Sequence, residues 1–324
     1  MMKKNCNFVL MIVLVLLLSA CTATPTPEPI SIKVGWGSWP GLYPLFVAED
    51  KGLYAKYGLQ VEHKTYGDLG EILKDLQNHK LEMGFATIND ALILDSRSPG
   101  EFKVVMATDY SNGADAIIAR PEITSIADLR GKRIGMGIGT FGELLVRQML
   151  KTEDMTIHDI ISVNVDTSQV PDIIPTLIDA GQTFDPFITH GLDKGNKLLF
   201  SSADAPGLIA DVAIFRQDFV EQHPEAVRSF IKVWFEAQDY WQAHPTESNE
   251  IIAKATGFKP SEISTNGVKL LNLADNLQAF TVGTSTTSLY GSGQINRDFL
   301  IEAGIVNSVP DVKRILDPSF LTEK

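Results

Sequence analysis

Trp36-Gly-Ser-Trp-Pro-Gly-Leu-Tyr-Pro-Leu-Phe-Val-Ala-Glu-Asp-Lys-Gly-Leu-Tyr-Ala-Lys-Tyr-Gly-Leu59 is the stretch whose reading decides the fold. It follows a strand-like run, Ile32-Lys-Val-Gly35, and opens with small residues and prolines suited to a helix start. Gly52 and Gly58 are placed as helix or turn stops. A strand feeding a Gly/Pro loop and then a helix N-terminus is receptive to anions, because the first backbone N–H groups of a helix lack partners. Trp36, Trp39 and Tyr43 set a stacking surface beside those donors.

Outward from this stretch the pattern repeats. Leu59 to Thr65 alternates as a strand, and Leu69, Ile72, Leu73 and Leu76 predict an amphipathic helix capped by Asp68. Leu81 to Ala86 reads as a buried strand, Thr87 to Asp90 starts a helix through Leu94, and Phe102 to Thr108 is again strand. This alternation predicts an α/β protein with a mostly parallel sheet, helices on both faces, and ligands at the carboxyl ends of the strands. Further along, Ala114 to Ala119 and Ile160 to Val165 read as strands, Thr140 to Leu150 and Ser168 to Ala180 as helices, and Lys197 to Phe200 and Leu208 to Phe215 as strands. From Gln217 the pattern is mostly helical, with a long helix over Pro224 to Ala243. The layout predicts two lobes: 31–112 with 212–324, and 113–211, with the chain leaving the first near Asn112 and returning near Val212. Two strand-like crossings suit a hinged binding protein.

Composition narrows the function. The chain has 324 residues, is 44% hydrophobic, and carries a net charge of −12. That balance gives no footprint for nucleic acid. The only cysteines are Cys6 and Cys21. Lys3, Lys4, the apolar run Phe8 to Leu18 and Leu18-Ser-Ala-Cys21 read as a signal peptide over 1–20 ending in a sequence similar to the bacterial lipobox, with Cys21 the lipidated residue. Residues 21–30, rich in Thr and Pro, predict an extended tether. Cleavage there leaves no other thiol, which removes disulfides, zinc–thiolate sites and cysteine nucleophiles from the body. The six histidines are scattered without i, i+3 or i, i+4 spacing, so no metal site is expected, and no G-x-S-x-G elbow is present.

Gly137-Ile-Gly139-Thr-Phe-Gly142 is a literal G-x-G-x-x-G between a strand and a helix, with Asp166 at the end of the next strand. That is the layout of a dinucleotide fingerprint. The same physics admits a smaller anionic or polar guest at the helix N-terminus, and a tight turn with no ligand also fits. Glu143 and Arg147, at i and i+4, read as an ion pair on that helix. The loops Gly37 to Gly41, Thr87 to Asp90, Asp109 to Gly113 and Gly139 to Gly142 would line one cleft if the two lobes face each other.

The opening stretch resembles the amino-terminal signature of solute-binding proteins of the nitrate, sulfonate, taurine and thiamine-precursor type of ABC importer. Ala86-Thr-Ile-Asn-Asp90, Ser111-Asn-Gly-Ala-Asp-Ala116, Ser125-Ile-Ala-Asp-Leu-Arg-Gly-Lys132, Gly139-Thr140 and the run Phe200 to Asp211 extend the resemblance in order along the chain. It implies a two-lobe periplasmic-binding-protein fold of type II. The implied function is a lipid-anchored, extracytoplasmic, monomeric component, without cofactor, that captures a small polar or anionic solute and hands it to a permease with an ATPase. The residues it places on the ligand are Ser38, Trp39, Tyr43, Asn89, Ser111, Asn112, Gly139, Thr140 and Phe141, with packing the other role open to Trp39 and Tyr43. Asp185-Pro-Phe187 resembles the family's W-[ED]-P-[YF] segment, which puts Asp185 in the cleft. Relatives carry a short strand before that segment, and Ala180-Gly-Gln-Thr-Phe184 reads as a direct join lacking it. The alternative class is an enzyme, NAD-dependent through the glycine motif or of the thiamine-pyrimidine type, whose cysteine-rich motif is absent here.

Overall fold

The computed structural model describes residues 28–306 and 311–322. The expected signal peptide, Cys21 and residues 21–27 of the tether lie outside the described residues. The first sheet begins with β1 (Ile30–Gly37), α1 (Pro44–Asp50), β2 (Leu59–Tyr66), α2 (Leu69–Gln77), β3 (Met83–Thr87), α3 (Ile88–Arg97) and β4 (Phe102–Ser111). The chain then builds a second sheet from β5 (Asp115–Ala119), β6 (Arg133–Met136), β7 (Ile161–Asn164), β8 (Ala180–Phe184) and β9 (Lys197–Ser201), with α4 (Phe141–Lys151) between β6 and β7. It returns through β10 (Ala210–Arg216), α5 (Pro224–Ala243), β11 (Val268–Leu270) and α6 (Leu289–Glu302).

Strand order is β11-β4-β10-β3-β1-β2 in the first sheet and β7-β6-β8-β5-β9 in the second. β1 pairs in parallel with β2 and β3, whereas β10 runs antiparallel between β3 and β4. β5 is inserted in the same way, antiparallel to both β8 and β9. The first strand after each crossing is therefore reversed, and it sits inside its sheet.

Period-2 alternation sets the faces. In β1, Ile32, Val34 and Trp36 are buried while Ser31 and Lys33 are exposed. The central strands β3 and β5 are buried throughout, as strands covered on both faces must be. Phe85 of β3 and Phe215 of β10 meet α5 through Trp234 and Phe230, with ring centroids 5.0 and 5.8 Å apart. On the opposite face Gly84 leaves room for Ile72 and Leu76 of α2, where a Cβ would fall 2.5 Å from Ile72. The α2 cap is as expected: Asp68 accepts the Gly70 N–H at 2.7 Å, and Ile72, Leu73 and Leu76 are buried.

Two local expectations are corrected. The helix expected over Ser168 to Ala180 is a single α-turn, Val170–Ile173: Pro175 has no N–H to continue the helix and disfavours helical backbone before it, and Ile174 is extended (φ −81°, ψ 133°). The supposed direct join Ala180 to Phe184 is itself β8, the middle strand of the second sheet, so no strand is missing before Asp185. Its polar residues hid it. Gln182 and Thr183 are buried by bonding within the protein, Gln182 Nε2 to the Asp115 carboxylate (3.3 Å) and Thr183 Oγ1 to the Thr167 carbonyl (2.7 Å).

Candidate functional site

The carboxyl end of β1 turns over the end of β4. Trp39 is extended and half-buried, and its indole Nε1 donates to Asp109 Oδ1 at 2.8 Å. Thr108 Oγ1 donates to the other oxygen at 2.9 Å. Gly41 is required beneath, since a Cβ there would lie 2.0 Å from Asp109 Oδ2. Ser38 is exposed at the tip of the loop. Tyr43 is 5% exposed, with its ring 6.0 Å from Trp241 and 6.4 Å from Phe46, which is the packing role left open for it.

Asp109 is not alone. In the β4–β10 ladder it stands opposite Asp211, which also faces Thr87 at the end of β3. Asp115 opens β5, one crossing away, and is 3% exposed. Burial pushes Asp109 up to about 6 and Asp115 up to about 7, the latter also repelled by Asp109 and Asp185. Asp211 is raised well above the usual carboxylate range, by burial first and then by repulsion from Asp109 and Asp115. Protonated, it donates to Asp109, which favours Asp109 ionising first. Asp90, on the α3 capping box with Thr87, is also pushed up by burial. The strand ends where the two sheets meet thus gather carboxyls whose protons are held more tightly than usual by burial.

Around this floor the remaining expected residues take distinct roles. Asn89 is 1% exposed; its Nδ2 donates to Asn296 Oδ1 on α6 (3.1 Å), and its own Oδ1 has no partner. Ser111 is corrected from ligand contact to connector: its buried hydroxyl bonds the Ser202 hydroxyl at 2.8 Å, and Ser202 Oγ also accepts the Gly113 N–H at 2.6 Å. The two crossings are tied together there. Asn112 is exposed, with its N–H on the Gly267 carbonyl at 2.7 Å.

The glycine turn before α4 is closed on itself. Gly139 has φ +82° and lies against Ile305, where a Cβ would come within 2.8 Å. Ile138 N–H donates to Asn164 Oδ1 (3.0 Å), Gly139 N–H to Glu143 Oε2 (2.9 Å), Thr140 N–H to the Gly137 carbonyl (3.3 Å) and Gly142 N–H to Thr140 Oγ1 (3.1 Å). The protein's own carboxylate takes the Gly139 donor. Asp166, the acceptor a ribose would need, instead accepts from the Ser168 N–H and hydroxyl. On both counts groups a dinucleotide would use are bonded within the protein. Thr140 is exposed and Phe141 half-buried at the helix entrance. Asp185 is exposed, and its Oδ1 accepts from Thr189 Oγ1 at 3.1 Å as a local cap.

Sequence reasoning did not single out Asp109, Asp115, Asp211 or Gln182. The available signal was an acid ending or opening an otherwise apolar strand, as in Val104-Val-Met-Ala-Thr-Asp109 and Asp115-Ala-Ile-Ile-Ala119. Among the described residues no group of three or more His, Cys, Asp or Glu side chains has metal-holding geometry, and no helix is long and apolar enough to cross a membrane.

Residues 39–248 match the model of the NMT1/THI5-like family. A candidate binding protein of Brucella abortus is 28% identical over 235 residues, covering 69% of this chain and 71% of its own. The 4-amino-5-hydroxymethyl-2-methylpyrimidine phosphate synthase of Candida albicans is 25% identical over 247 residues, 72% of each chain. Among solved structures, the periplasmic aliphatic sulphonate-binding protein of Escherichia coli superposes with a TM-score of 0.72 at 14% identity, over 90% of this chain and 99% of the other. The periplasmic nitrate-binding protein of Synechocystis PCC 6803 gives 0.65 at 15% identity, over 91% and 88%. At these identities the likeness is one of fold: helix-flanked mixed sheets, as in periplasmic binding proteins.

Proposed function

Because this chain belongs to the NMT1/THI5-like family, we propose that it is the extracytoplasmic solute-binding component of an ABC importer, held to the membrane through Cys21, acting as a monomer and passing its solute to a permease with an ATPase. The cleft lies where the strands of the two sheets end, between 31–112 with 212–324 and 113–211. Ser38, Trp39, Asn89, Asn112, Thr140, Phe141 and Asp185 line it, with the Gly139 turn as one wall.

The observation that carries the choice of solute is the acid floor. Asp109 holds the Trp39 indole, Asp211 stands opposite it in the strand ladder, and Asp115 lies close enough for the two to repel. A sulfonate or nitrate would meet carboxyls that repel it when ionised. A planar heterocycle bearing amino groups, neutral or protonated, donates to the partly exposed Asp211, gains from the buried acids behind it, and stacks on the indole. An amino-substituted pyrimidine type therefore fits better than a sulfonate, nitrate or taurine. The second reading, a pyrimidine-forming enzyme, is favoured by the synthase relative of 25% identity. Against it, the sequence has only Cys6 and Cys21, both ahead of the folded body.

A thermal-shift and calorimetry screen tests this. A true ligand at one hundred times its dissociation constant adds about 2.7 kcal/mol. Amino-heterocycles should stabilise the protein, and mass spectrometry should recover them unchanged. Stabilisation by sulfonates or nitrate alone would refute the donor-bearing solute. Conversion of a bound pyrimidine would refute the transport role.

A further inference from the structure

One side chain links the closed glycine turn to the far end of the chain. Arg147 of α4 is held by Glu143 on one side, with Nε 2.8 Å and Nη2 2.7 Å from Oε1. On the other side its Nη1 donates to Glu302 of α6 at 2.9 Å, and its guanidinium lies 5.5 Å from the centre of the Phe299 ring. Glu143 is 6% exposed, and its second oxygen carries the Gly139 N–H. Glu302, by contrast, is 72% exposed.

The two helices belong to different halves. α4 follows β6 in the second sheet, whereas α6 is tied to the first through Asn296, which accepts from Asn89. Between α4 and α6 lies a groove of about 340 Å³ with Arg147, Phe299 and Glu302 on its walls. Beyond these residues, Ile305 rests on Gly139. Arg147 bridges the two helices across this groove.

We propose that Arg147 is a positioning residue that couples the approach of the two lobes to the shape of the cleft turn. With α4 docked on α6, Glu302 and Phe299 fix the guanidinium, the guanidinium fixes Glu143, and Glu143 holds the Gly139 amide. When the two helices separate, Arg147 loses its outer partners and Glu143 loses a fixed counter-charge, so the turn slackens. The turn is then ordered for a ligand only when the lobes are together. This inference rests on the interlobe-cleft reading, but its test needs no ligand, so the two can fail separately.

The measurement is amide hydrogen exchange at Gly139, resolved by NMR on the full chain, with Tm recorded alongside. Glu302→Lys places a repelling charge opposite Arg147 at an exposed position and should speed exchange at Gly139 at least threefold while the amides in the middle of α4 keep their protection. Arg147→Met should speed it at least tenfold, with Arg147→Lys recovering part of the protection. Because the outer pair is exposed and screened by salt, exchange in the parent should rise between 0.05 and 0.5 M NaCl, and in Glu302→Gln it should be salt-independent. If Arg147→Met speeds exchange but Glu302→Lys does not, the arginine acts only within α4 and the coupling is refuted. If neither variant changes it, Glu143 does not hold the turn and the proposal fails outright.

Discussion

At the scale of single residues, the acids at the strand ends govern how the protein meets pH. A carboxyl whose folded pKa is raised binds its proton more tightly in the native state than in the unfolded chain, so it costs stability as pH climbs. For Asp109 and Asp115 the window runs from about pH 4, near the unfolded value, up to their folded values of about 6 and about 7. Other carboxylates oppose this at lower pH: Asp75, bonded to Tyr66 and Lys80, is held down at about 2, and its contribution is lost only in stronger acid. Melting temperature should therefore rise on going from pH 8 to pH 5 and fall again below about pH 4. Scanning calorimetry across that range checks it, and Asp109→Asn, which keeps an oxygen for the Trp39 indole, should flatten the rise between pH 8 and 5. The same variant should weaken a cationic solute at least tenfold by calorimetry; undiminished binding would remove Asp109 from the ligand's reach. Trp39 was legible as an aromatic in a Gly/Pro loop after a strand. Its partner was not, because the cluster depends on a register that sets Asp109 opposite Asp211, over a hundred positions away.

At the scale of elements, the legible parts were those with a clean period or a cap. α2 announced itself by Ile72, Leu73 and Leu76 behind Asp68, and α5 by its run of Val227, Phe230, Ile231 and Trp234. β8 was illegible because buried hydrogen bonds substitute for apolar side chains at Gln182 and Thr183, and single-strand periodicity has no access to the partner strand. The turn before α4 shows a subtler limit. The helix N-terminus behind it was read as open to an anionic or polar guest, yet whether a donor is free depends on side chains such as Glu143 and Asn164 that fold back onto it. Gly139→Val should destabilise the protein by about 1–3 kcal/mol in urea unfolding, since it forces a branched residue to positive φ and against Ile305. An unchanged midpoint would show that the turn relaxes freely.

At the scale of the whole molecule, the alternation of strands and helices made the α/β class legible, while the insertion of β5 and β10 inside their sheets was not, since periodicity carries no strand order. The crossings are joined by Ser202, which is fully buried and serves both Ser111 and Gly113. Ser202→Ala leaves the Gly113 N–H unsatisfied and removes one bond of the Ser111 hydroxyl, and should cost about 1–3 kcal/mol by chemical denaturation. If it costs nothing, the connectors are not bonded in solution as they are here. The placement of β10 between β3 and β4 also dictates an order of events during synthesis. The second sheet is made of one continuous stretch and can close as soon as β9 emerges. The first cannot, because the strand that belongs between β3 and β4 comes from the part of the chain made after β9. Residues 113–207 produced alone should therefore give cooperative melting, and residues 28–112 alone should aggregate. A chain built this way completes its younger half before its older one.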